Sequence, residues 1–96
     1  MRKITENSIH AFNNNKNFKS SNTEVITDGH TTILSLHGNK IAFKDISTNE
    51  IKITNCGWET NTTKERLNGL YGVNINQKKG IWYLNDNKWN GKLIKV

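Results

Sequence analysis

Gly57-Trp58-Glu59-Thr60-Asn61-Thr62-Thr63-Lys64-Glu65-Arg66-Leu67-Asn68-Gly69-Leu70 reads as one short helix set between two strand-rich halves. Thr62 followed three residues later by Glu65 has the spacing of a capping box, each side chain meeting the other's amide. Gly69 supplies a left-handed stop, which makes the helix about two turns long. Thr63, Leu67 and Leu70 share one face by i, i+4, i+7 spacing and are expected to point at the core. Lys64 and Arg66 sit in the first turns, where free amides and the helix dipole already present positive potential. Free amides and two cations together predict an anion site that also uses the Thr62 and Thr63 hydroxyls. The alternative is that Glu59 and Glu65 offset the charges and nothing binds.

Working outward, Thr5 to Asn14 predicts a first helix, with Thr5, Ser8, Ile9 and Phe12 on one stripe. Lys16 to Asn22 reads as a polar loop in which Phe18 serves as an anchor. Four strand signals follow. They are Thr23–Thr27, closed by Asp28-Gly29; Thr31–Leu36; Lys40–Lys44, after the turn His37-Gly38-Asn39; and Glu50–Thr54. Ile41 and Phe43 alternate with Lys40 and Lys44, and Ile51 and Ile53 with Lys52, as in an antiparallel meander with one wet face. Beyond the helix, Val73 and Ile75 alternate with asparagines. Ile81–Leu84 is a return strand, and Leu93–Val96 a last one. In Ile81-Trp82-Tyr83-Leu84 either Trp82 with Leu84 or Ile81 with Tyr83 faces inward. The expected fold is α+β with a mainly antiparallel sheet, in the order helix, four strands, short helix, two or three strands.

The 96 residues are expected to form a single domain, 1–96. Hydrophobic residues are 33% and mean hydropathy is −0.74, low for a globular chain. Eight aromatic side chains compensate, since each buries a large area. So thin a core also leaves room for homo-oligomerisation. The formal net charge of +6 favours nucleic-acid, nucleotide or acidic-protein partners. Asn, Ile and Lys are frequent, as in the product of an A+T-rich gene, so part of the lysine excess reflects base composition. Cys56 is the single cysteine, which excludes an internal disulfide and points to a reducing compartment. It is expected to be a half-buried small apolar residue at a strand end. No membrane-spanning run or signal core is seen, so a cytosolic protein is expected.

No HExxH, CxxC, G-x-S-x-G or Walker-type loop is present, and no carboxylates pair by spacing. No metal, no cofactor and no catalytic residues are therefore assigned. Basic residues interleave with aromatics in the last third: Lys64, Arg66, Lys78, Lys79, Trp82, Tyr83, Lys88, Trp89 and Lys92. Phosphate attraction with ring stacking is the chemistry of single-strand or nucleotide recognition, and Trp58, Trp82 and Trp89 are the candidate stacking or partner-contact rings. The opposing reading makes the rings core and the lysines solubilising turn residues. Gly38 and Asn39 suit positive φ in a tight turn, with a ligand role for His37 or Asn39 secondary.

Leu36-His37-Gly38-Asn39-Lys40-Ile41-Ala42, the Gly57–Leu70 stretch and Trp82-Tyr83-Leu84-Asn85 resemble a family of small uncharacterised tailed-bacteriophage proteins. The likeness runs from about Ile4 to Val96, with Tyr71 standing where a proline is expected. The resemblance implies a virus-encoded accessory protein working in the host cytoplasm. By analogy it implies an anti-CRISPR-like or nucleotide-sequestering role against host defence. The expected partner is a defence protein or its nucleotide or nucleic-acid ligand, bound by a basic face at Lys64, Arg66, Lys78 and Lys79. General DNA or RNA binding is the alternative, and a small enzyme with no visible catalytic set is a second.

Overall fold

The computed structural model describes residues 2–96. In chain order the elements are α1 (Lys3–Asn13), β1 (Phe18–Ser20), β2 (Thr23–Thr27), β3 (Thr31–Leu36), β4 (Asn39–Asp45), β5 (Ile51–Ile53), α2 (Asn61–Asn68), β6 (Ile75–Lys78), β7 (Ile81–Leu84), β8 (Asn87–Lys88) and β9 (Ile94–Lys95). This is the expected α+β order. The strands divide into two antiparallel sheets, one ordered β1-β2-β3-β4-β5-β9 and a smaller one ordered β6-β7-β8.

Strand register explains the core. Val25, Leu34, Ala42 and Ile53 are successive cross-strand partners, so period-2 alternation stacks them on one face. All four are fully buried. Thr5, Ser8, Ile9 and Phe12 of α1 are buried as the stripe predicts. Leu67 of α2 and Trp82, Leu84 and Trp89 continue the same cluster. In β7 it is Trp82 and Leu84 that point inward, and Trp82 packs on Trp89 with ring centroids 6.2 Å apart. Burying such side chains contributes about 1.5–3 kcal/mol each.

Several local expectations are corrected. Phe18 belongs to β1, opposite Val25, rather than to a free loop, although it does pack against the core. The alternation in β4 breaks at an irregularity where Leu34 pairs with Ala42 but Ser35 pairs with Lys40. An extra residue turns the rest of a strand over. Ile41 and Ala42 are therefore both buried, Phe43 is half-exposed, and Lys44 is 5% exposed. Lys44 Nζ donates to the Asn13 carbonyl at 3.1 Å, satisfying the end of α1, and lies 5.6 Å from the Phe12 ring centroid. Burial lowers its pKa. Asn85 and Asp86, both at positive φ, form a two-residue turn that adds the short strand β8.

The α2 ends also differ from the capping reading. Thr60, not Thr62, is the N-cap, its hydroxyl accepting from the Thr63 amide at 3.1 Å. Gly69 is right-handed, with φ −72° and ψ −18°. Glycine is required there by packing. A Cβ at this position would lie 2.7 Å from Ile9 Cγ1 and 3.1 Å from Thr5 Cγ2, where α1 crosses.

Candidate functional site

A cleft of about 290 Å³ opens between the β3–β4 turn, the segment after β5, and the first turn of α2. The walls are built by chain geometry. His37 and Gly38, at φ 52° and 79°, make the two-residue hairpin that presents His37 and Asn39 at one rim. Cys56 and Gly57, at φ 54° and 82°, reverse the chain after β5 and place Trp58 on the other rim. Leu36 and Ile41 add apolar wall. Thr60, Thr62 and Thr63 close the helix end.

In α2, Thr60 satisfies the Thr63 amide through its hydroxyl and the Lys64 amide through its carbonyl. The Asn61 and Thr62 amides have no partner within the helix, as expected for its first turn. Asn55, 2% exposed, lies in the cleft wall, and its Nδ2 has no hydrogen-bond partner while Oδ1 accepts from the Gly57 amide at 2.8 Å. An unsatisfied buried amide group costs about 1–3 kcal/mol, so its retention calls for a reason. Gly91 presses on that side chain with no room for a Cβ and φ +84°. The Gly91 carbonyl accepts from the Asn55 amide at 3.1 Å and the Thr54 hydroxyl at 2.7 Å, which fixes Asn55 from behind. Asn22 Nδ2 and His37 Nε2 lie 3.3 Å apart, which ties the β3–β4 turn to the segment before β2. Trp58 is 58% exposed, an aromatic face held at the cleft mouth.

The residues singled out in the sequence are divided by the fold. Thr62, Thr63 and Trp58 line the cleft. Lys64 leans away, donating to Gln77 Oε1 at 3.0 Å and lying 6.0 Å from the Trp82 ring centroid. Arg66 is 1% exposed and turned inward. Its Nε donates to Thr23 Oγ1 at 3.1 Å, and its Nη1 to Thr5 Oγ1 at 2.5 Å and Glu65 Oε1 at 2.6 Å. Arg66 is thus a tie between α1, β2 and α2 rather than part of a surface. Burial, together with the Arg2 charge, lowers its pKa against the opposing pull of Glu65. Lys78 and Lys79 lie on the β6–β7 hairpin, outside the cleft lining, and both are exposed. Trp82 and Trp89 are core rings, 1% and 6% exposed, and offer no stacking face to solvent.

Cys56 is exposed rather than half-buried, its Sγ donating to the Lys40 carbonyl at 3.0 Å. The protein around the sulfur raises its pKa, opposite to an activated thiol. Asn55, Thr60, Leu36 and Ile41 were not marked by the sequence as site residues. For Leu36, Ile41 and Thr60 the signal lies in the two longest family-like stretches, Leu36–Ala42 and Gly57–Leu70, which the fold brings to the same cleft, whereas Asn55 falls outside both.

The model of one protein family, described as Kyanoviridae Gp96 protein, matches residues 1–93. No curated protein and no solved structure matches the chain. Among the described residues no helix is long and apolar enough to cross a membrane.

Proposed function

The chain belongs to the Kyanoviridae Gp96 protein family, a family of phage proteins, and from that premise we propose that it is an accessory binding protein that captures a nucleotide in the α2 cleft without chemical turnover. Withholding such a ligand from a host defence system is the role that this capture serves. One observation carries the reading: the buried side chain of Asn55, whose Nδ2 has no partner, lines the same cleft as the start of α2 at Thr60, Thr62 and Thr63. A phosphate is the natural guest of helix N-terminal amides. Trp58 at the mouth suits a base, whose stacking contributes about 1–3 kcal/mol. The volume of about 290 Å³ lies at the small end of ligand pockets and suits one nucleotide unit rather than two.

Isothermal titration calorimetry against nucleoside monophosphates, nucleosides and inorganic phosphate tests the reading. Nucleotides are expected to bind with one-to-one stoichiometry, more tightly than either part alone. Trp58→Ala, which removes an exposed ring and leaves the core intact, is expected to weaken binding roughly tenfold. Absence of heat with every nucleotide, or equal affinity in Trp58→Ala, would overturn it.

A further inference from the structure

The small sheet carries a second surface, independent of the cleft. Pairing puts Asn76, Tyr83 and Lys88 in one cross-strand row, with Lys78 and Ile81 in the next row on the same face. Alternation sends Trp82 and Leu84 to the other face, into the core. The outward face therefore shows a half-buried Tyr83 ring, a 38% exposed Ile81, and exposed Asn76, Lys78 and Lys88. Lys78 Nζ lies 5.9 Å from the Tyr83 ring centroid. Lys79, at φ 52°, is exposed at the tip of the β6–β7 hairpin.

Charge is sorted along the chain. Gly69 to Val96 contains five lysines and one acidic residue, Asp86, so this stretch holds most of the +6 net charge. Asp86 sits in the β7–β8 turn, at the opposite end of β7 from Lys79. Lysines clustered around one ring repel one another and add nothing to a core. Their arrangement has the chemistry of a polyanion surface with an aromatic platform.

We propose that the outward face of the β6–β8 sheet docks single-stranded nucleic acid, with Tyr83 stacking a base and Lys78, Lys79 and Lys88 meeting flanking phosphates. The reach that lays the Lys78 ammonium over the ring also brings it to a phosphate beside a stacked base. A single strand is favoured over a duplex because a ring can stack only on an unpaired base. The face belongs to a three-stranded sheet of short strands, and none of its elements is a helix that could enter a major groove.

Fluorescence anisotropy with a labelled oligothymidylate, and with a duplex of equal length, tests the proposal. The single strand is expected to bind more tightly than the duplex. Three phosphate contacts predict a fall in affinity of roughly twentyfold between about 50 and about 200 mM salt. Lys78→Ala with Lys88→Ala is expected to flatten that salt dependence. Tyr83→Phe keeps the stacking face and is expected to bind like wild type. Tyr83→Ala is expected to lose roughly tenfold. The Trp58→Ala protein, altered only at the cleft, is expected to bind oligothymidylate normally. Absence of single-strand binding at low salt, a duplex bound as tightly as the single strand, or full affinity in the folded double lysine variant would overturn the proposal. Loss of oligothymidylate binding in Trp58→Ala would also overturn it, by moving the strand to the cleft.

Discussion

Glu65 and Arg66 are neighbours in sequence and partners in space, with Oε1 and Nη1 2.6 Å apart and the guanidinium 1% exposed. Glu65 also accepts from Arg2 Nε at 3.0 Å and from the Thr5 hydroxyl. Burial pushes the Glu65 pKa up, but the Thr5 and Arg2 hydrogen bonds and the charges of Arg2 and Arg66 outweigh it and leave it below the ordinary 4.5. Removing the carboxylate leaves a buried cation without a counter-charge. Glu65→Gln is therefore expected to cost about 3 kcal/mol, the low end for a buried pair because Glu65 remains 28% exposed. Urea denaturation at neutral pH measures it, and a change within about 0.5 kcal/mol, usual for surface substitutions, would contradict the pairing.

The same pair sets an acid limb. A carboxylate with a depressed folded pKa contributes stability that is complete above the unfolded value and is lost as pH falls through the folded one. Stability is thus expected to fall from about pH 5 downward. Asp28 and Asp45, lowered chiefly by backbone hydrogen bonds from Thr31 and by the Ser47 hydroxyl respectively, act in the same direction. Glu65→Gln is expected to flatten part of this slope in denaturation curves recorded across the acid range.

Gly69→Ala distinguishes packing from backbone freedom. With right-handed φ, alanine would suit the backbone and add about 0.4–1 kcal/mol if nothing else mattered. The approach of Ile9 and Thr5 leaves no room for it. The expected result is a loss of about 1–3 kcal/mol from overpacking, and a raised melting temperature would refute the close crossing of α1 and α2.

Asn61→Pro separates the first helical amide from the cleft, whose lining at the start of α2 is Thr60, Thr62 and Thr63. Proline fits the first helical position, and Thr60 at φ −104° and ψ 158° already has the extended backbone that precedes proline. Stability and nucleotide affinity are both expected to change little, because Asn61 does not line the cleft, and a tenfold loss of affinity would instead place its amide at the ligand. Asn61→Ala keeps the amide and is expected to bind as wild type. Calorimetry on the two variants makes the comparison.

Gly91→Ala is expected to disturb the cleft from behind. Its positive φ and the contact with Asn55 each penalise a Cβ, for a combined cost of about 2–4 kcal/mol. Denaturation curves measure that cost, and nucleotide titration of the remaining folded protein is expected to show weakened binding.

Local pattern made most of the elements legible. Alternation located β2 to β5 and β7, and the α1 stripe is buried as expected. What eluded the sequence depends on distant partners. Arg66 looks like a surface cation until Thr5 and Thr23, 61 and 43 residues away, are seen to hold it. Lys44 reads as a solvent-facing lysine until the irregularity between β3 and β4 turns it inward beneath α1. At the α2 start the capping-box spacing points to Thr62, and only the folded backbone shows that Thr60 is the cap. Half of the cleft was visible as motif, at His37–Asn39 and Trp58–Thr63. Asn55 carries no motif signature, because its distinction is a missing hydrogen bond that only packing reveals.

Asn55 is held by Gly91, and Thr54 beside it bonds the same carbonyl across 37 residues. On the ribosome, β1 to β5 and α2 emerge well before that glycine does. The nascent protein can therefore pair β1 to β5 early, yet both the edge strand β9 and the Gly91 support of the cleft wait for the last residues, which makes competence a late event in its biogenesis.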